Sequence, residues 1–197
     1  MADLTFSQPA RRNLAVPILI ALATLLVIAG LLVAFTPHST AQVTVQKTAV
    51  YPVHLVFKSE SIIVGRDTSQ DELYVLVTLR IENHLRLPLF LKDFTATLNP
   101  SNPDGSPAES ITTSTAQKTD VPNIYLSFPA LKTLANQQAS PLLLRETQIA
   151  PGASTAGMLL LHFPVPQTTW DKRKSATISI DLYHQQPLTI ELPNSKP

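Results

Sequence analysis

Residues 73–82, LYVLVTLRIE, place Leu73, Val75, Val77, Leu79 and Ile81 on one face of an extended chain and Tyr74, Leu76, Thr78, Arg80 and Glu82 on the other. Side chains alternate across a strand, so a repeat of two this regular predicts a strand in the middle of an antiparallel sheet, laid on a core by its odd-numbered face. Asn83-His84 ends it, and the polar turn 66–72 (RDTSQDE) precedes it. Upstream, 53–60 (VHLVFKSE) sets Val53, Leu55 and Phe57 against His54, Val56 and Lys58, a second half-buried strand.

Downstream the same pattern returns. Residues 87–98 (LPLFLKDFTATL) read as a strand kinked near Pro88, with Phe94, Ala96 and Leu98 on one face. The loop 99–107 (NPSNPDGSP) holds three Pro and an Asp104-Gly105 pair, a turn at an exposed tip. Residues 111–120 are Thr- and Ser-rich and weakly patterned. Ser127-Phe128-Pro129 opens the one helical candidate, with Ser127 as cap and Leu131, Leu134 and Ala135 sharing a face up to Gln138. Residues 142–149 return to strand, Pro151-Gly152 makes a turn, and 155–165 (TAGMLLLHFPV) form a largely buried strand. Trp170 starts the last ladder, 175–184 (SATISIDLYH), and 188–192 (LTIEL) closes it. About seven or eight strands at this spacing predict an all-β sandwich.

Before the sandwich comes a different solvent. Residues 14–35 (LAVPILIALATLLVIAGLLVAF) run 22 residues without a charge, and Thr24 is the one hydrogen-bonding side chain. As a helix this covers about 33 Å, the hydrocarbon core of a bilayer, and it is apolar all round. Pro17 sits in the first turn, where its missing N–H costs nothing. Ala23 and Gly30 do not make the four-residue spacing of a small-residue dimer motif. Arg11 and Arg12 precede the run, and the first basic residue after it is Lys47. That bias places the N-terminus in the cytoplasm and the remainder outside, at the inner membrane facing the periplasm. The rival is a signal peptide cleaved after Ala41, at the small-x-small site Ser39-Thr40-Ala41; an h-region of about 7 to 15 residues is shorter than this run. No Cys exists for a lipoprotein anchor.

The expected organisation is a cytoplasmic tail over 1–13, a transmembrane helix over 14–35, a polar stalk over 36–48 whose Val43 and Val45 already alternate, a sandwich over 49–193 and a tail over 194–197. Without cysteine there is no disulfide and no thiolate chemistry. With Arg11 and Arg12 set aside from the 15 basic residues, and Asp3 from the 14 acidic ones, the charges beyond residue 35 balance, which argues against nucleic acid as a partner.

The order of elements resembles a known group. A long strand ending in Asn83, a Leu-Pro-Leu and Asp93 element, a loop with Asp104-Gly105, a short helix, then Ile149-Ala150-Pro151-Gly152, Gly157 and Phe163-Pro164-Val165-Pro166 resemble the bacterial immunoglobulin-like ectodomains of unknown function that one span or a lipid holds to the membrane. A second likeness is to the water-stress sandwich (late embryogenesis abundant, type 2). The resemblance covers roughly residues 53–192 and departs after Asp93, where the acidic-to-Gly spacing differs. It implies an immunoglobulin-like sandwich and no reaction.

Chemistry-bearing residues are scattered. His38, His54, His84, His162 and His184 never pair at i,i+2 or i,i+4, so zinc ligation is not predicted, although they could converge in space. The run Gly152-Ala153-Ser154-Thr155-Ala156-Gly157 puts its second Gly one residue late for a hydrolase elbow, and its context is turn to strand. Asp67, Asp71 and Glu72 lack the spacing and central Gly of a calcium loop. Glu60 and Asp93 are single carboxylates with no partner for acid–base work. Trp170, Tyr125, Tyr183 and Phe128 are expected in core or edge packing. No catalytic, cofactor or metal residues are therefore assigned. The expectation is a single-pass, membrane-anchored, extracytoplasmic accessory module that meets the bilayer through 14–35 and a protein partner by non-covalent contact. Its alternatives are an envelope enzyme or metal-dependent binder whose groups converge in the fold, and a protein secreted after Ala41.

Overall fold

The computed structural model describes residues 15–35, 41–57, 68–101 and 108–194, in two units, Met1–His38 and Ser39–Pro197. The first unit holds α1 (Ala15–Phe35), 21 residues without a charged side chain. Thr24 Oγ1 donates to the Ile20 carbonyl at 2.8 Å, so the one hydroxyl is satisfied by its own helix. Among the described residues no helix is long and apolar enough to cross a membrane. The described side chains of α1 run only from Val16 to Leu31, and membrane crossing is therefore a functional proposal and no part of the fold.

The second unit is an all-β sandwich of two antiparallel sheets. One sheet has the order β1 (Ala41–Phe57), β2 (Thr68–Asn83), β6 (Ser154–Phe163). The other has β4 (Ile111–Ser114), β3 (Leu89–Asn99), β7 (Ser175–Leu182), β8 (Leu188–Glu191), with β5 (Gln148–Ile149) paired to the start of β3. The core between the sheets is built from the alternation read in β2: Leu73, Val75, Val77, Leu79 and Ile81 are fully buried there against Phe94, Leu98, Ile178 and Ile180. At about 25 cal/mol per Å² of apolar surface, this double row of aliphatic side chains is the main stabilising term of the domain. Trp170 joins that core from α4 (Gln167–Asp171), a short helix, with its ring centroid 5.9 Å from that of Phe163. Trp170 therefore precedes β7 and does not start it. Arg173, also buried, lies 4.1 Å over the indole and donates to the carbonyls of Trp170 and Pro193, tying α4 to the segment after β8.

Several elements differ from their sequence expectation, each for a physical reason. Residues 41–48, expected within a polar stalk, belong to β1, which is paired rung by rung with β2 and bulged only between Val45 and Lys47. Residues 142–149 are mostly not strand. Leu142 makes an isolated bridge to Met158, and the Met158 N–H donates to the Pro141 carbonyl at 2.7 Å. This close approach uses Gly157, where a Cβ would stand 2.8 Å from Leu143 Cβ and 3.0 Å from Leu143 Cα. The turn at Pro151-Gly152 is present, with Gly152 at φ +68°, a conformation that suits a residue without a Cβ.

The helical region is two helices, α2 (Val121–Ser127) and α3 (Pro129–Gln137), where one was expected. Phe128 lies between them at φ −129° and ψ 78°, outside the α region that a following proline disfavours for its neighbour. Ser127 does not cap α3. It ends α2, and its Oγ donates to the Asn123 carbonyl. Both helices lie on the even-numbered face of β2, where Tyr74 and Leu76 join Met158 and Leu160 of β6 with Val121, Leu131 and Ala135 in a second core. The first sheet is thus covered on both faces.

Asn83 closes β2 as a buried knot. Its Nδ2 lies 2.8, 3.0 and 3.2 Å from the carbonyls of Leu87, Ile149 and Ala150 as donor, and its Oδ1 accepts the Leu85 N–H. A side-chain amide suits this place because it supplies donors and an acceptor together.

Candidate functional site: a groove over the helical layer

The described histidines do not converge. His54 Nδ1 stands 2.7 Å from Asp71 Oδ1 on an exposed part of the β1–β2 ribbon. His162 Nε2 stands 3.3 Å from Glu72 Oε2, beside the Tyr74 ring at a centroid distance of 4.9 Å. Asp71 and Glu72 are neighbours in one strand, so their side chains leave opposite faces of the sheet, and each holds its own histidine. His84 lies 4.0 Å from Glu82, and His184 is exposed in the turn after β7 with φ 59°. Among the described residues no group of three or more His, Cys, Asp or Glu is placed to hold a metal ion. His38, Glu60, Asp67 and the Asp104-Gly105 pair lie outside the described residues.

Other singled-out residues are structural. Asp93 accepts the Phe94 N–H at 2.7 Å and pairs with Arg145 Nη2 at 2.8 Å. Ser154 is the exposed first residue of β6, opposite Glu82, and a ladder position is not a strand-to-helix turn. Phe128 packs on Tyr74 at 5.3 Å. Burial beneath the helices, followed by the charge of Glu72 and a hydrogen bond to it, raises the Tyr74 phenol above its ordinary pKa.

Tyr125 leads elsewhere. It lines a groove of about 670 Å³ with Val121, Pro122, Leu126, Pro129, Leu142, Lys118 and Lys132. Two smaller cavities adjoin it. One of about 240 Å³ shares Lys118 and runs toward Leu144 and Arg145; one of about 350 Å³ shares Tyr125 and Leu142 and runs toward Asn136 and Met158. The groove exists because two short helices cannot tile the face that a third sheet or one long helix would cover. The helix break at Phe128-Pro129 and the irregular segment 139–144, which turns at Ala139 with φ 53°, leave space between α2, α3 and the edge of β6.

The lining is apolar with charge at the rim. Val121 is buried, whereas Leu126 is 81% exposed, a large apolar side chain left in solvent. Burial raises the Tyr125 phenol above its ordinary pKa and so keeps it neutral. Lys118 and Lys132 are the charged residues of the lining, no carboxylate lies among them, and among the described residues neither has an ion-pair partner. Such a surface can bind and orient a ligand.

Sequence reading placed Tyr125 and Phe128 in packing and did not find the groove. Its lining comes from residues 118 to 142 without a repeating period, so no pattern announces it. The available signal was indirect: Met158-Leu159-Leu160-Leu161 is apolar at every position, which requires cover on both faces of β6.

No protein-family model matches the chain, and no curated protein does. Among solved structures, the X-ray structure of Northeast Structural Genomics Consortium target SoR45 aligns with 74% of this chain and 82% of its own at 7% identity and a TM-score of 0.28, too slight a likeness to carry an argument.

Proposed function

We propose that this chain is a single-pass membrane protein of a bacterial envelope, with a cytoplasmic N-terminus and an extracytoplasmic sandwich that acts by non-covalent contact as an accessory or binding module. The carrying observation is the apolar groove between α2, α3 and Leu142, whose two lysines have no ion-pair partner among the described residues, in a fold where His54 and His162 each face a separate carboxylate. The size of the groove lies within the range of small-ligand sites, about 300 to 1,000 Å³. The anchor is supported by α1, helical over 21 residues with no charge and with its one hydroxyl bonded inside the helix. The immunoglobulin-like family resemblance of residues 53–192 agrees with this reading.

Topology is the decisive test. A C-terminal epitope on the full chain is expected to be cut by protease added outside intact spheroplasts, and the chain is expected to stay with the membrane through alkaline carbonate. An epitope protected outside and cleaved only in inverted vesicles overturns the orientation. A second reading has its own support: the β1 ladder begins at Ala41, so cleavage after Ala41 leaves the sheet essentially whole. A mature N-terminus at Gln42 decides for secretion.

A further inference from the structure

We infer that the groove over α2 and α3 takes a single-chain anionic amphiphile, one unbranched hydrocarbon chain ending in a negatively charged headgroup. The inference deepens the binding-module reading and rests on it. Shape carries the first part. The central groove and its two neighbours share Lys118 on one side and Tyr125 with Leu142 on the other, so the three spaces adjoin in sequence, an arrangement that suits a chain better than a compact ring system. Its sides, Val121, Tyr125, Leu126 and Leu142, offer apolar contact along its length, and each methylene removed from water adds to affinity.

Charge carries the second part. Lys118 and Lys132 come from different elements, the segment before α2 and the first half of α3, yet both reach the same apolar trough. Asp120, the nearest acid in sequence, faces Thr119 and is not part of the lining. Two cations beside an apolar surface without a balancing carboxylate select an anion and disfavour a cationic or zwitterionic chain. The flexible ammonium of lysine follows a headgroup as a point charge and imposes no planar fork, so a carboxylate or another compact anion serves. Loose lysine stems also lie along the chain and shield it.

The test uses the full chain in nanodiscs of neutral phosphatidylcholine, with decanoate as probe and decanol as its uncharged counterpart, read by methyl NMR of Leu126 and Leu142 and corrected against empty nanodiscs. Decanoate is expected to give saturable shifts at both methyls and to bind at least about fivefold more tightly than decanol. Replacing both lysines, Lys118→Gln with Lys132→Gln, is expected to remove that preference while leaving decanol binding in place. Leu126→Glu, at a side chain already in solvent, is expected to weaken decanoate by about tenfold or more without altering the β-sheet resonances. Equal binding of decanoate and decanol, unsaturable shifts, or shifts confined to other residues overturn the inference. Shifts that need anionic phosphatidylglycerol in the disc and ignore decanoate overturn it in favour of a membrane-surface contact, and saturation by an acidic peptide alone overturns it in favour of a protein partner. Each of these leaves the topology result standing, so the tethered-module reading fails only with its own protease test.

Discussion

The two faces of the first sheet are covered in different ways. On the odd-numbered face of β2 a second sheet supplies Phe94, Leu98, Ile178 and Ile180, and the row from Leu73 to Ile81 is sealed. On the even-numbered face two short helices cover Tyr74 and Leu76, Thr78 is buried beyond them, and Arg80 is in solvent. A sheet laid on a sheet presents a continuous pleated surface, whereas helices of seven and nine residues present separate ridges. Helical residues line two of the three cavities, and the third adjoins them at Lys118. Apolar burial is more extensive on one face, and the two larger cavities lie on the other.

This contrast can be broken most forcefully in the inter-sheet core. Phe94→Ala is expected to cost about 4 kcal/mol of unfolding free energy, because a fully buried ring leaves a cavity that two facing sheets cannot close. The single tryptophan, buried at position 170, reports the transition by fluorescence in urea. Leu131→Ala, beneath α3, is expected to cost less, about 2 to 3 kcal/mol, because helices shift more readily than ladder-bonded strands. Hydrogen exchange then separates the layers: amides of α2 and α3 lose protection while those of β3 and β7 keep theirs. Uniform loss across both sheets would show that the helical layer is no weaker a unit.

Gly157→Ala tests the seam where residues 141–143 press on β6. The new methyl meets Leu143 backbone and Cβ at about 3 Å, so a loss of about 1 to 2 kcal/mol is expected, with amide shifts centred on Leu143. Alkaline pH probes the helical face alone. Tyr74 has its pKa raised by burial and by Glu72, so the folded state holds the phenol neutral while the unfolded chain ionises near 10.0. Its contribution is full below that value and fades as pH rises through the higher folded one. The urea midpoint is therefore expected to fall between about pH 9 and about pH 11, and to fall less in Tyr74→Phe. Tyr125, raised by burial, leaves a residual slope. Beyond both covers, Glu82→Gln breaks the exposed pair with Arg80 and is expected to change stability by at most about 0.5 kcal/mol.

How much could be read beforehand follows the same division. The odd-numbered face of β2, the alternation of β7 and the turn at Pro151-Gly152 rest on local period and backbone chemistry, and those signals lie in the residues themselves. The helical cover depends on where the chain returns. Val121 to Ser127 is short, holds a proline and carries little period, so α2 is stable only through its packing on Leu76 and Met158. Leu142, Leu143 and Leu144 read as strand, yet only a bridge forms, because Gly157 admits the segment at one point rather than along a ladder. Tyr74 and Leu76 were assigned to a face without a stated cover, and only the fold supplies it. The groove depends on all of these elements at once, since it is the space they leave unfilled.

Asn83 has a mechanical consequence. The first rung of the β1–β2 ladder joins Ala41 to Asn83, so tension applied through residue 40 reaches the sandwich at that rung before any other. Its β2 member is moored by side-chain bonds to Leu87, Ile149, Ala150 and Leu85 and by its own N–H to the Ala153 carbonyl. Load that crosses this rung into β2 is shared at once between the β2–β3 connection and the turn leading into β6, so β2 holds its place and the edge strand β1 is the one that peels first.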